Sequence, residues 1–204
     1  MITIIDYGMG NLGSLNNMFK RIGVASEITS DHEKLLKAAK IILPGVGAFD
    51  AAMERINEGG FREILNKKAL EDKIPILGVC LGMQLLTDSS EEGKLPGLGW
   101  IPAKTTKFSF DRESKLKVPH MGWNRVYEKH ASPLIKDLPP EPRFYFVHSY
   151  YVKAEDENYV LTTTTHGVEF NSIIQKENIY GAQFHPEKSH KFGMKLLENF
   201  ARLQ

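Results

Sequence analysis

The chain has 204 residues, 42% of them hydrophobic, and a formal net charge of +1. That is apolar content for one ordinary α/β core, and the near-neutral balance gives no electrostatic case for a nucleic-acid partner. A single cysteine excludes an internal disulfide, no apolar stretch reaches membrane-span length, and Met1 leads straight into a strand pattern, so a soluble cytoplasmic protein without membrane contact is expected.

Taken in chain order, Ile2 to Asp6, Val24 to Ile28, Lys40 to Pro44 and Ile74 to Val79 predict strands, with helical segments between them. Leu12, Leu15, Phe19 and Ile22 form one helical face; Phe49, Ala52, Met53 and Ile56 form another, ended by Gly59-Gly60. Alternation of this kind predicts a parallel sheet. The first strand runs into Gly8-Met9-Gly10-Asn11-Leu12-Gly13, with Glu27 further on, which formally satisfies the dinucleotide fingerprint and offers a nicotinamide-binding protein as a rival reading. Against it, the Asp6 carboxylate lies where a pyrophosphate would sit, and no second mononucleotide half follows.

After the third strand comes Gly45-Val46-Gly47, where glycines on either side of a valine let a peptide N–H turn into a site. The fourth strand ends in Gly78-Val79-Cys80-Leu81-Gly82, a nucleophile elbow with sulfur in place of oxygen. A thiol there points at a helix N-terminus, which favours thiolate. In elbow enzymes the residue after the nucleophile and the loop after the third strand supply the oxyanion donors, which here are Leu81 and the Val46-Gly47 peptide units.

Beyond Gly93 the pattern loosens. Lys104 to Phe110, Val118 to Trp123, Phe144 to Val152 and Tyr159 to Thr165 predict shorter strands of an antiparallel or mixed extension. Ile179 to Phe184 reads as a strand leading into His185-Pro186-Glu187, where residues two apart face one side and the carboxylate is placed to orient the imidazole. With the elbow cysteine these make a Cys80-His185-Glu187 triad. A metal site is not expected: only His185 and His190 are closely spaced, and there is neither a second cysteine nor an H-E-x-x-H. A helix from about Lys188, with Phe192, Leu196, Leu197 and Phe200 as its stripe, closes the chain.

Gly78 to Gln84 with His185 to Glu187 resembles the triad-type, class I glutamine amidotransferases, and Pro44 to Gly47 is similar to their oxyanion strand. Asp6 to Asn11 and Pro119-His120-Met121-Gly122-Trp123-Asn124 resemble, more narrowly, the glutaminase subunits of imidazole glycerol phosphate synthases. The resemblance runs nearly end to end. It implies one domain over 1–204 with a flavodoxin-like, doubly wound, mostly parallel sheet, helices on both faces and a small antiparallel extension. It also implies L-glutamine as substrate, no cofactor, and glutamine contacts at Gly45, Gln84, Glu92, Ser149 and Tyr150. A (β/α)8-barrel cyclase would be the partner in a heterodimer, met through Asn11, Met121, Trp123, Tyr145 and Lys188. Ammonia passed to that cyclase would give imidazole glycerol phosphate and an aminoimidazole carboxamide ribotide. The alternatives within the class are glutaminase subunits of anthranilate or pyridoxal phosphate synthases; outside it, a catalytically silent module.

Overall fold

The computed structural model describes residues 1–111 and 113–204. In chain order the strands are β1 (Ile2–Ile5), β2 (Ser26–Thr29), β3 (Ile41–Leu43), β4 (Ile76–Val79), β5 (Ser89–Ser90), β6 (Ala103–Lys107), β7 (His120–Arg125), β8 (Tyr127–Glu128), β9 (Arg143–His148), β10 (Tyr150–Ala154), β11 (Val160–His166), β12 (Val168–Lys176) and β13 (Ile179–Ala182). The helices are α1 (Leu12–Arg21), α2 (His32–Leu36), α3 (Phe49–Glu58), α4 (Phe61–Asn66), α5 (Leu81–Leu85) and α6 (His190–Arg202). None is long and apolar enough to cross a membrane among the described residues.

One large sheet runs β2-β1-β3-β4-β13-β12-β10-β6-β5, with β11 and β8 branching from β12. From β2 to β13 every pairing is parallel. The order 2-1-3-4 followed by the last strand is the flavodoxin-like arrangement the sequence implies. β1, β3, β4 and β13 are buried throughout, as strands covered on both faces must be, whereas the border strand β2 is only partly covered; two apolar clusters fill the layers on either side. Phe19, Leu196 and Phe200 lie in one cluster; Phe49, Met53 and Ile56 lie in the other.

Beyond β13 the pairings turn antiparallel, apart from the β5–β6 edge. A separate two-stranded antiparallel sheet is made by β7 and β9. The stretch predicted as one strand from Phe144 to Val152 is two strands. It breaks at Ser149, where the chain leaves the small sheet and enters the large one beside β6. β12, nine residues long, is absent from the sequence reading, as are α2 and α4. α2 is short but strongly started: the Asp31 carboxylate accepts from the Glu33 and Lys34 N–H groups. The closing helix starts at His190 because Pro186–Lys188 form a 3-10 turn ahead of it.

Candidate active site

Cys80 sits between β4 and α5 with φ 57° and ψ −112°, a left-handed backbone that the elbow imposes on its nucleophile. The flanking glycines are required by contact. A Cβ on Gly82 would lie 1.9 Å from the Leu43 carbonyl oxygen, and one on Gly78 would lie 2.5 Å from the Gly82 oxygen. Strand and helix therefore meet backbone to backbone, and the turn is pinned by the Cys80 N–H donating to the Ala182 carbonyl at 2.8 Å. α5 is only five residues long, so its dipole is a modest support for thiolate. The stronger charge partner is a side chain from the other end of the sequence.

His185 follows β13, the neighbour of β4, and that adjacency carries it to the elbow. Its Nδ1 lies 2.8 Å from Glu187 Oε1, and both side chains are nearly solvent-free. The backbone around it is clamped to β9: the His185 N–H donates to the Tyr145 carbonyl, while Ser189 Oγ donates to the His185 carbonyl and accepts from the Tyr145 N–H. Among the described residues His185 Nε2 is buried with no hydrogen-bond partner, leaving that nitrogen for proton exchange in the site. Burial opposes a charged ring, yet the Cys80 sulfur and the Glu187 carboxylate outweigh it and raise the pKa to about 10. Both neighbours therefore favour the imidazolium over the neutral ring.

A cleft of about 390 Å³ opens over this pair. Of the residues expected to act there, Val46, Gly47, Cys80, Leu81, Gln84, Glu92, Ser149, Tyr150, His185 and Lys188 all line it. Val46 is 42% exposed, and Gly47 takes φ 102°, a backbone that its glycine permits. The Leu81 N–H, first in α5, has no intrahelical carbonyl to reach. Glu92 spans the cleft's rim, its Oε2 accepting from the Phe49 N–H at the start of α3; burial raises its pKa against that bond. Gly45 does not line the cleft. It is buried, and a Cβ there would lie 2.9 Å from the Gly82 nitrogen, so it lets the oxyanion loop rest on the elbow.

The residues assigned to a partner lie on one side. Met121 and Trp123 project from β7 and are 63% and 47% exposed; Tyr145 is the cross-strand partner of Trp123 on β9. Lys188 Nζ stands 5.8 Å from the Tyr145 ring centre, and His190 stacks on Trp123. Asn11 is exposed at the start of α1, a helix that packs against the Pro186–Lys188 turn.

Sequence reasoning missed Tyr7, His148 and Gln183. The buried Tyr7 hydroxyl donates to the Pro44 carbonyl at 2.6 Å, tying the first loop to the oxyanion loop; burial, foremost, drives its pKa far up and keeps it a donor. The Tyr in Asp6-Tyr7-Gly8 was visible, but its distant acceptor was not. The rival dinucleotide reading fails on packing: a Cβ on Gly13 would meet nothing within 4 Å, whereas the third glycine of that fingerprint exists for close helix–strand contact. Asp6 instead accepts from the Gly8 N–H, shaping the turn itself.

A family model for glutamine amidotransferase class-I matches residues 3–203. This chain belongs to that family. Among its relatives, imidazole glycerol phosphate synthase subunit HisH 2 of Methanococcus maripaludis is 57% identical over 202 residues, 99% of each chain. The HisH subunit of Bdellovibrio bacteriovorus is 47% identical over 204 residues, with full coverage of both. Among solved structures, a Thermotoga maritima glutamine amidotransferase superposes with a TM-score of 0.68 at 16% identity, covering 99% of this chain and 98% of its own. PurLQS from the same organism gives 0.70 at 18%, covering 98% and 96%. At those identities the structural likeness speaks for the class I fold.

Proposed function

We propose that the chain, as one glutamine amidotransferase domain over 1–204, is the glutaminase subunit of an imidazole glycerol phosphate synthase in histidine biosynthesis. The observation that carries the mechanism is the buried His185–Glu187 pair, held 2.8 Å apart just past the end of the strand next to the elbow of Cys80. Cys80 Sγ attacks the side-chain carbonyl carbon of L-glutamine, and the oxyanion forms toward the N–H groups of Leu81 and the Val46-Gly47 loop. His185, already protonated, gives its Nε2 proton to the departing nitrogen, and ammonia leaves as the C–N bond breaks. The now neutral imidazole takes a proton from water, whose oxygen opens the thioester; the sulfur leaves as thiolate beside the imidazolium, and the carboxylic acid product loses its proton to solvent as glutamate. Gln84, Glu92, Ser149 and Tyr150 surround the substrate.

Free ammonia in neutral water is mostly ammonium, which is no nucleophile, so it must be handed through protein to an acceptor site. The names of the HisH relatives imply a partner subunit. We assign that partner as the (β/α)8-barrel cyclase, docked over Met121, Trp123, Tyr145, Lys188 and Asn11. Glutamate release by the purified chain, alone and then with the cyclase and its ribotide substrate, tests the assignment. Release that rises strongly with the loaded partner is expected; no release under any condition refutes it.

A further inference from the structure

Gln183 lies two residues before His185, is 0% exposed, and has no role in the chemistry above. A buried primary amide needs partners at both ends. Its Nε2 faces Cys80 Sγ at 4.0 Å, a long contact to a sulfur acceptor, and its Oε1 accepts from Gln84 Nε2 at 3.1 Å. Which end faces the sulfur follows from the network. The Tyr150 carbonyl oxygen only accepts, and it receives Gln84 Nε2 at 3.1 Å and His148 Nδ1 at 2.7 Å. Gln84 therefore turns its NH2 group inward, Gln183 must offer its oxygen to it, and the Gln183 NH2 group is left pointing at the thiol.

The same carbonyl fixes the other arm. With Nδ1 donating to Tyr150, His148 accepts at Nε2 from His120 Nδ1 at 3.0 Å, and His120 Nε2 accepts from Asn124 Nδ2 at 3.1 Å. The two links in which a ring Nε2 accepts, at His148 and at His120, require those rings to be neutral. Burial, the leading cause for both, lowers His120 to about 4 and His148 to about 3, so both stay neutral at physiological pH.

We propose that Gln183 is a further catalytic group of this site: its amide N–H, aimed by Gln84 and the Tyr150 carbonyl, stabilises the charged sulfur of Cys80. The purpose of that thiolate rests on the glutaminase reading, but the thiolate itself can be measured without glutamine. Cys80 is the only cysteine, so alkylation by iodoacetamide, in which Sγ bonds to the methylene carbon and displaces iodide, reports this thiol alone.

Gln183→Met keeps length and removes both polar ends. A donor to the charged form that is lost moves the midpoint of the alkylation pH profile upward, here by about one pH unit, or roughly tenfold slower labelling at neutral pH. Gln183→Glu, which sets a carboxylate against the sulfur, should move it further. Thermal unfolding of each variant establishes that it is folded. A folded Gln183→Met protein with an unchanged midpoint overturns the proposal. If that variant does not fold, Gln84→Met decides: it leaves Gln183 in place but frees its amide to turn, so a smaller upward shift supports the proposal and no shift overturns it. Wild-type protein that labels normally but releases no glutamate would refute the proposed function and leave this test of Gln183 standing.

Discussion

The parallel half of the sheet and its antiparallel wing hold the site by different means. Around β4, β3 and β13 the backbone itself does the positioning: bare glycines bring Leu43, Gly78 and Gly82 into contact, and fully buried apolar strands leave no slack. In the wing, β7, β9 and β10 are organised by polar side chains inside an aromatic shell, with His120, His148 and His166 packed among Phe108, Phe146 and Phe170. The proposed reacting atoms come from the first region; Ser149, Tyr150 and the exposed aromatic face come from the second. On the proposed reading, chemistry is built on the part that tolerates no added atom, and recognition on the part whose contacts are hydrogen bonds.

That contrast is sharpest at the nucleophile. Cys80→Ala should lower glutamine hydrolysis by about four orders of magnitude or more while leaving the melting temperature nearly unchanged and ammonia-dependent synthesis by the partner intact. Near wild-type hydrolysis would end the thiol mechanism. The same variant removes one of the two partners that raise His185, so the ring's titration, followed by NMR, should fall from about 10. Val46→Pro deletes one N–H from the oxyanion loop. Partner-stimulated hydrolysis should drop by roughly a factor of 10² to 10³, with little change in unfolding by denaturant.

Gly82→Ala tests the backbone contact of the parallel half directly. Its Cβ has nowhere to go beside the Leu43 oxygen, so stability should fall by about 2–3 kcal/mol in a denaturant titration, together with activity. A neutral outcome would mean the elbow has more freedom than the close approach allows. The wing should respond to acid instead. His120 and His148 titrate far below the usual histidine range, so their stabilising contribution is complete above pH 6.5 and is lost as pH falls from there through about 4 and 3. Each ring adds at most about 1.4 kcal/mol of lost stability per pH unit in that window. Their NMR signals should stay still from pH 5 to 8; movement there would place them in a looser, wetter wing. The smallest effect is expected on the rim: Lys188→Glu should weaken the partner complex by at least about 1 kcal/mol in calorimetry and raise the ratio of glutamate to imidazole product. Unchanged values would remove Lys188 from the interface.

Legibility in the sequence follows the same divide. The parallel strands announce themselves as apolar runs, and the elbow and His-Pro-Glu carry their own spacing, so β1, β3, β4 and the catalytic candidates were readable. β2 is displaced from Val24–Ile28 to Ser26–Thr29 because it borders the sheet, where its residues need not all be apolar. β12 stayed hidden since Val168-Glu169-Phe170-Asn171-Ser172 mixes polar and apolar residues without clean alternation, its polar members being satisfied by partners such as Thr162 and Thr163 on β11. The run from Phe144 to Val152 is aromatic or apolar on both sides of His148-Ser149, with no glycine or proline between, so the change of sheet there was invisible. Gln183, His120 and His148 belong to a class the sequence conceals: a buried polar side chain declares itself only when remote segments bring its partners.

The strand that carries His185 into place enters the sheet late. β13 fills the gap between β4 and β12, yet it follows both in the chain. Until it is inserted, β4 has an unpaired edge of apolar residues in the middle of the future core, and the pairing it awaits is separated from it by about half the sequence. A ribosome making this protein therefore exposes an open strand edge for about half of the elongation time, a state prone to pairing with other chains. On the proposed mechanism the thiol meets its base only when β13 arrives: a chain that stops before β13 should not hydrolyse glutamine, and assembly of the proposed catalytic pair coincides with closure of the sheet.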